Sequence, residues 1–318
     1  MLVLRGRDAN GRNRSPPPRC ILCDGRDLRR SRRFTGRSWQ TWDCEDCDLA
    51  FVWPMPTKLE ISAAYQGYSR VAEETANESE YTSDRFIVDL LTSLFRAGGT
   101  TVLDIGCSTG GFLETAKTTG WKGTGIEIDA AAATLTANRL NLDVKVGDAL
   151  DLLPSLGRFD LVAASHTLEH VVSPGQLFAE IGRHVNPGGH ILARVPNSRS
   201  RAAILLRKRW NWYRPPVHLS YFSERSFEVA AARARLKIRS VTTRRGPAHL
   251  FPTELLLATA RIVSGEAAYQ DTVKGNAGPT VVSSRFLSWV DRRMLAQGYF
   301  GKHDDSELAV LLENAGEK

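Results

Sequence analysis

Two groups of residues in this 318-residue chain have the types and the spacing to do chemistry. The first is a set of cysteines. Cys20-x2-Cys23 and Cys44-x2-Cys47 are separated by twenty residues, the spacing of a zinc ribbon, in which each pair forms a tight knuckle and the two knuckles present four thiolates to one tetrahedral ion. Four sulfurs leave no position for water, so an ion held there is structural, and Zn2+ is the one expected. Two disulfides, or four unrelated thiols, are the other readings of these residues. The spacing shows no secretory signal in front of it to favour disulfides. Cys107 stands apart from the four.

The second group is Val102-Leu-Asp-Ile-Gly-Cys-Ser-Thr-Gly-Gly111, a strand that runs into a turn and opens a helix. This is the first βα junction of a doubly wound sheet, whose ligands bind at the carboxyl edge. Two cofactor classes use such a turn, nicotinamide dinucleotides and S-adenosylmethionine. Against the first, Ser108 stands where a second glycine lets a pyrophosphate approach the backbone. Asp104, at the strand end, repels a pyrophosphate but suits the ammonium of a methionine moiety. Glu127 ends the next strand about 20 residues beyond the glycines, where a carboxylate accepts both hydroxyls of a ribose; otherwise it is a polar residue closing a strand.

Such side chains need a frame, and the apolar pattern supplies one. Residues 101–105, 123–128, 144–146, 159–165 and 189–195 read as strands, and 111–119, 130–140 and 174–185 as helices, the last closed by the turn Asn186-Pro-Gly-Gly189. Strands alternating with helices at this spacing predict an α/β fold with a parallel sheet wound by right-handed crossovers. Beyond it, 224–236 reads as a helix and 237–244 and 307–312 as two last strands. The expected organisation is a disordered basic arm over 1–19, a ribbon over 20–56, a helical lead-in over 57–97, and the main domain over 98–318, with insertions at 198–222 and 247–305 forming an acceptor pocket and a helical lid.

With the turn come Gly125-Ile-Glu-Ile-Asp129, Gly147-Asp148-Ala149, Phe159-Asp-Leu-Val162, Leu168-Glu-His-Val171 and Asn186-Pro-Gly-Gly189, in that order. From about residue 80 to residue 240 the chain resembles the class I S-adenosylmethionine-dependent methyltransferases, which have a Rossmann-like sheet. The resemblance implies that Asp104, Gly106, Ser108 and Gly110 cradle the methionine end, Glu127 takes the ribose diol, and Asp148 with Ala149 meets the adenine. Cys107, Ile128 and Ser165 complete the predicted contact set. The ribbon running into Phe51-Val-Trp-Pro-Met-Pro56, with Trp210 and Pro216-Val-His-Leu-Ser-Tyr-Phe-Ser223, is similar to a bacterial subfamily that methylates small molecules, often in secondary metabolism or on sugars.

On the acceptor side three histidines are candidates. His218 lies in a Pro-rich loop after the fifth strand and is the expected general base, against a structural histidine bonded to nearby backbone. His166 and His170 follow the fourth strand. His166-x-x-Glu169-His170 matches the inverted zinc-protease motif, but the flanking methyltransferase-like segments argue against proteolysis. Ubiquinone-type O-methyltransferases resemble this stretch and carry acidic residues near an equivalent Glu-His, which implies either a divalent ion on His166, Glu169 and His170 or a helix-start role. Trp210, Trp212, Tyr213, Tyr221 and Phe222 either enclose the acceptor or form an aromatic core.

Charge bears on the partner. The net charge is +7, yet residues 1–40 alone hold 11 Arg against 3 Asp, a surplus of +8, which leaves −1 for the rest. A chain whose body is not basic is expected to take a small-molecule acceptor. The arm keeps a nucleic-acid partner, with the ribbon guiding an RNA methyltransferase, as the alternative. No apolar run reaches the ~20 residues of a spanning helix, and Ser31-Arg-Arg-Phe34 lacks the apolar segment of an export signal, so a cytoplasmic enzyme with no membrane contact is expected.

Overall fold

The apolar runs of the central region pair into one seven-stranded sheet. In the computed structural model, which describes residues 16–34, 39–64, 84–244 and 306–316, its strands are β4 (Thr101–Ile105), β5 (Lys122–Glu127), β6 (Asp143–Val146), β7 (Phe159–Ser165), β8 (Val185–Pro196), β10 (Lys237–Arg244) and β11 (Glu307–Glu313). They lie in the order β10-β11-β8-β7-β4-β5-β6. The pairs among β4 to β8 are parallel, whereas β11 runs antiparallel to both β8 and β10. Val102, Leu103 and Ile105 of β4 and Leu161, Val162, Ala163 and Ala164 of β7 are buried, as strands covered on both faces require. From β4 the chain moves outward to β5 and β6, then returns to place β7 on the other side of β4. The carboxyl ends of β4 and β7 therefore flank the crevice where such sheets bind ligands.

Between strands lie α2 (Arg85–Arg96), α3 (Gly111–Thr118), α4 (Ala130–Leu140), α5 (Ala149–Leu152), α6 (Pro174–Arg183) and α8 (Glu224–Arg233), with α1 (Lys58–Ala64) and α7 (Arg201–Leu206) outside the main alternation. Their starts follow from side chains that satisfy the first free N–H groups. Asp129 accepts from the backbone of Ala131 and Ala132, both at 2.9 Å, and Asp148 accepts from Leu150 at 2.8 Å. Ser223 and Ser226 cap α8 reciprocally.

A second sheet forms on the ribbon: β1 (Leu28–Arg30), β2 (Thr41–Cys44), β3 (Ala50–Val52) and β9 (Ser220–Tyr221), in that order. The last strand comes from the segment after β8, with Ala50 opposite Tyr221 and Phe51 opposite Ser220. The ribbon also shares its core with the main sheet, since the four cysteines, Leu22, Leu49 and Phe51 cluster with Leu103, Leu177 and Phe178. Gly175 at the start of α6 makes this docking possible: a Cβ there would stand 2.4 Å from the Leu22 carbonyl oxygen.

One element departs from the sequence reading, and one alternative that it left open is decided. The Asn186-Pro-Gly-Gly189 segment is drawn into β8 rather than standing before it, because Val185 already pairs with Phe159 and Asn314 exchanges backbone bonds with Gly188 and Gly189. Trp210, Tyr213, Tyr221 and Phe222 are buried, the first three around Phe34, so these aromatics form core and only Trp212 keeps partial exposure. The expected lid over 247–305, most of the expected arm, and residues 65–83 of the lead-in lie outside the described residues. Among the described residues no helix is long and apolar enough to cross a membrane.

Candidate functional site

The glycine-rich turn brings two carboxylates to the crevice. Asp104 and Glu127 end adjacent strands and are 3% and 8% exposed. Glu127 Oε2 accepts from the Ser108 N–H at 2.8 Å and Oε1 from the Asp129 N–H at 2.9 Å. A carboxylate oxygen has two acceptor sites, so capacity remains at each for a hydroxyl. Burial, reinforced by Glu127, holds the Asp104 carboxyl well above the usual carboxylate range. Gly106 bends away with φ +73°, and a Cβ on it would meet Thr167 Oγ1 at 2.5 Å. Ser108 is left-handed at φ +47° and His166, just past β7, at φ +52°, so both strands flanking the crevice end in backbone that disfavours a side chain.

The other predicted cofactor residues surround these two. Asp148 is exposed and caps α5. Ile128 is 72% exposed, an apolar side chain left uncovered at the end of β5. Ser165 Oγ is buried with no hydrogen bond. Cys107 is different: its Sγ packs where a Cβ on Gly125 would be 2.7 Å away, and burial together with Asp104 and Glu127 keeps it a thiol. Its side chain therefore belongs to the core. The donor set fits S-adenosylmethionine: carboxylates for an ammonium and a diol, an apolar flank for a base, and an orphaned hydroxyl.

The four cysteines converge. Cys20 Sγ and Cys47 Sγ are 3.6 Å apart, as are those of Cys23 and Cys44, and all four are free of disulfides. Thiolates bound to one tetrahedral Zn2+ at ~2.3 Å stand about 3.8 Å from each other, close to this arrangement. Leu22 N–H and Gly25 N–H point at the sulfurs of Cys20 and Cys23, each at 3.4 Å, the backbone support that a knuckle needs. The set fits a structural Zn2+.

A third cluster gathers the histidines. The Leu168–His170 turn is 3-10 rather than α-helical, and the 214–222 loop is fastened to it by Leu219 N–H to Glu169 O at 2.7 Å and by His170 Nδ1 to Val217 O at 3.0 Å. His218, 4% exposed, thereby packs edge-on against His170 with ring centroids 4.7 Å apart. Trp212 stacks on both His166 and His218. Burial pushes the His218 imidazole well below its ordinary value, aided by His170 and Arg214, and lowers His170 as well. For His166, burial is outweighed by the Glu169 and Glu307 carboxylates, which raise it to about 9. Glu307 also takes Arg194 through Nε at 2.9 Å and through a terminal nitrogen at 3.1 Å.

Glu307 and Arg194 were read only as strand residues and were absent from the candidate site. No spacing rule connects residue 307 to a turn at 166, and the one available signal was a charged residue opening a strand of apolar residues. The structure also regroups the candidates: the ligand atoms of Glu169, His170 and His218 lie within 4.8 Å of one another, while His166 turns its Nε2 to Glu307.

With this geometry in view, the sequence profile of a methyltransferase domain matches residues 79–241, just over half of the chain. The chain belongs to that methyltransferase family. Its sheet is the Rossmann-like sheet of class I methyltransferases, with the cysteine cluster near the N-terminus. The chain is 30% identical over 121 residues to a ubiquinone biosynthesis O-methyltransferase of Serratia proteamaculans, covering 35% of this chain and 50% of that protein. It is 32% identical over 115 residues to an uncharacterized protein in transposon Tn4556 of Streptomyces fradiae, covering 34% and 33%. The chain thus spans a third to a half of the length of these curated relatives. Among solved structures it is similar to one from the complex between the Haloferax volcanii Trm112 methyltransferase activator and a methyltransferase, with a TM-score of 0.53 at 16% identity over 81% of this chain and 99% of that one, a likeness of fold.

Proposed function

We propose that this protein transfers a methyl group from S-adenosylmethionine to a small-molecule acceptor, in secondary metabolism or sugar biosynthesis, with Zn2+ on Cys20, Cys23, Cys44 and Cys47 as a structural ion. The observation that carries the reading is Glu127: a buried carboxylate at the switch point of a methyltransferase-family sheet, oriented by two backbone N–H groups and keeping acceptor capacity for a ribose diol. Asp104 beside it suits an ammonium, and Ile128 and Ala149 offer apolar surface to an adenine.

S-adenosylmethionine supplies an electrophilic methyl on a sulfonium. The protein's part in an in-line displacement is mainly positioning, which contributes up to ~7 to 11 kcal/mol, whereas a general base adds ~10² to 10⁴-fold. Asp104, Glu127 and the Gly106 turn hold one partner. On the acceptor side we keep His218, with His170 beside it and Trp212 over it. A buried neutral imidazole whose Nδ1 has no hydrogen bond is available to take a proton.

A small acceptor is favoured over nucleic acid by the arginines themselves. In the depression lined by Arg29, Arg30, Arg32, Arg33 and Arg199, Arg29 pairs with Glu45 at 2.6 Å, Arg33 with Asp43 at 3.1 Å, and Arg199 with Asp48. Charges neutralised in this way release few counterions from a phosphate backbone.

The test has two arms. Calorimetry is expected to show S-adenosylmethionine binding that weakens about 10- to 100-fold in Glu127→Ala, since a hydrogen bond to a charged group contributes ~1.5 to 3 kcal/mol, with no comparable affinity for NAD. Methyl-labelled S-adenosylmethionine incubated with a fractionated bacterial extract is expected to label the low-mass fraction. Label confined to RNA would overturn the acceptor class, and indifference of binding to Glu127→Ala would overturn the cofactor site.

A further inference from the structure

We infer that the ribbon is a working part of the acceptor side: Phe34 and Thr41 are positioning residues that set Trp212 and His218 against the turn after β7. The inference rests on the reading of those two side chains as acceptor-facing and deepens it. It starts from a core that the central sheet does not supply. Among the described residues, the buried apolar cluster around the aromatic loop joins Phe34, Ala50 and Val52 of the ribbon to α7 and to Trp210, Tyr213 and Tyr221, with no member from the seven-stranded sheet. The loop takes its packing from the ribbon.

Both ends of the loop rest on it. At the first end Phe34 stacks on Tyr213 with ring centroids 5.3 Å apart and planes 10° from parallel, and Thr41 Oγ1 meets the Tyr213 hydroxyl at 3.1 Å. Both ribbon side chains are 1% exposed, so the hydroxyl pair is shielded from water, where losing one member leaves the other unsatisfied. Ser31 ties the two together: its N–H donates to Thr41 O at 2.8 Å, and its Oγ accepts from the Phe34 N–H at 3.2 Å. At the second end Val52 N–H donates to Leu219 O at 2.8 Å, and Phe51 pairs with Ser220. Tyr221 packs on Phe34 at 4.9 Å and donates its hydroxyl to His218 O at 3.1 Å.

Between those ends stand the side chains that meet the histidine turn. Trp212, next to Tyr213 in the chain, stacks on His166 and His218 with centroids 5.6 and 5.8 Å away. His218 precedes Leu219, whose N–H goes to Glu169 O at 2.7 Å while its carbonyl goes to the ribbon. Leu219 is thus held from both sides, by the turn and by β3, and His218 inherits that position. Side chains that act on a reacting partner must be held within about 0.5 Å by the packing of their neighbours. Here a decisive part of that packing comes from the ribbon, with Thr41 standing 172 positions before the tyrosine it meets.

The experiment uses the full chain carrying 5-fluorotryptophan, in which Trp212 is one of seven tryptophans and its fluorine resonance is assigned with Trp212→Phe. Thr41→Val, which keeps the shape and removes the hydroxyl, and Phe34→Leu are each expected to shift or broaden that resonance. Both are expected to slow methyl transfer from labelled S-adenosylmethionine to the low-mass fraction of a bacterial extract by about 10- to 100-fold at saturating cofactor, as a misplacement of ~1 Å does. Their affinity for S-adenosylmethionine, read by calorimetry, is expected to stay at the wild-type value, and Thr41→Ser to restore both resonance and rate. A Trp212 resonance that stays in place in both variants would overturn the inference. So would a shifted resonance with an undiminished rate, or a rate that falls only as far as cofactor affinity does. A wild type that labels no low-mass material strikes the acceptor reading itself, an outcome separate from wild-type labelling that both variants retain.

Discussion

His166 Nε2 lies 3.0 Å from Glu307 Oε2 although 141 residues separate them in the chain. The contact exists because β11 inserts between β10 and β8, setting Glu307 opposite Pro196 and next to Arg194. Glu307 is 1% exposed and shared between a guanidinium and an imidazole, and Arg194 reaches on to Asp84, the residue that caps α2. Removing one partner of such a group leaves buried charge uncompensated, at about 3 to 5 kcal/mol. Glu307→Ala is therefore expected to lower the unfolding free energy by that amount in a denaturant titration. A loss under about 1 kcal/mol would mean that water replaces the carboxylate at no great cost.

Asp104 gives a prediction in protons. Burial and the neighbouring Glu127 keep it protonated where an ordinary aspartate is ionised. An ammonium brought against it favours the ionised form, so S-adenosylmethionine binding is expected to release a proton, and affinity to rise with pH until Asp104 ionises in the free protein. Calorimetry in buffers of differing ionisation enthalpy measures the release. Its persistence in Asp104→Asn would assign the proton elsewhere.

Asp160 gives one in stability. Burial opposes its charge, but the Thr100 N–H, the Asn186 amide and Thr101 outweigh this and lower its pKa from 3.8 to about 2. The folded-state value is depressed, so the contribution is fully present above the ordinary value and is lost as pH falls through about 2. Discounted for the solvent that screens this partly exposed group, a shift of this size corresponds to about 1 kcal/mol. Asp160→Asn is expected to be less stable than wild type by that order at neutral pH, and the two unfolding curves to converge near pH 2. A constant gap across the acid range would count against the carboxylate.

The ribbon prediction joins metal to sheet. Cys44→Ser is expected to abolish copurifying zinc and, because β3 pairs with β9, to raise amide hydrogen exchange at Ser220 and Tyr221 as well as at Ala50 and Phe51. Exchange rising on the ribbon alone would show that β9 holds without it.

Much of the central sheet was legible in the sequence because its signals are local. Residues 101–105, 159–165 and 130–140 form the elements their patterns predict, each bounded by a cap or turn of recognisable chemistry. The cysteine spacing likewise brought four sulfurs together. The strand β9 was not legible: Ser220–Tyr221 is two residues long, too short for any alternation to register. The aromatic loop left two readings open for a related reason, since Trp210, Tyr213 and Tyr221 are alike in composition whether they line a pocket or fill a core, and only their packing on Phe34 decides. Glu307 joined the site through tertiary pairing that no local spacing encodes.

The pairing of β3 with β9 also imposes an order on biosynthesis. The cysteines, β1, β2 and β3 leave the ribosome early, yet the edge of β3 stays open until Ser220 and Tyr221 have been made, and the apolar face of the ribbon until α6 has been made. A bare strand edge and uncovered apolar surface are what make a nascent chain prone to aggregation. The four-cysteine segment thus waits, through synthesis of most of the central sheet, for a two-residue strand to complete it.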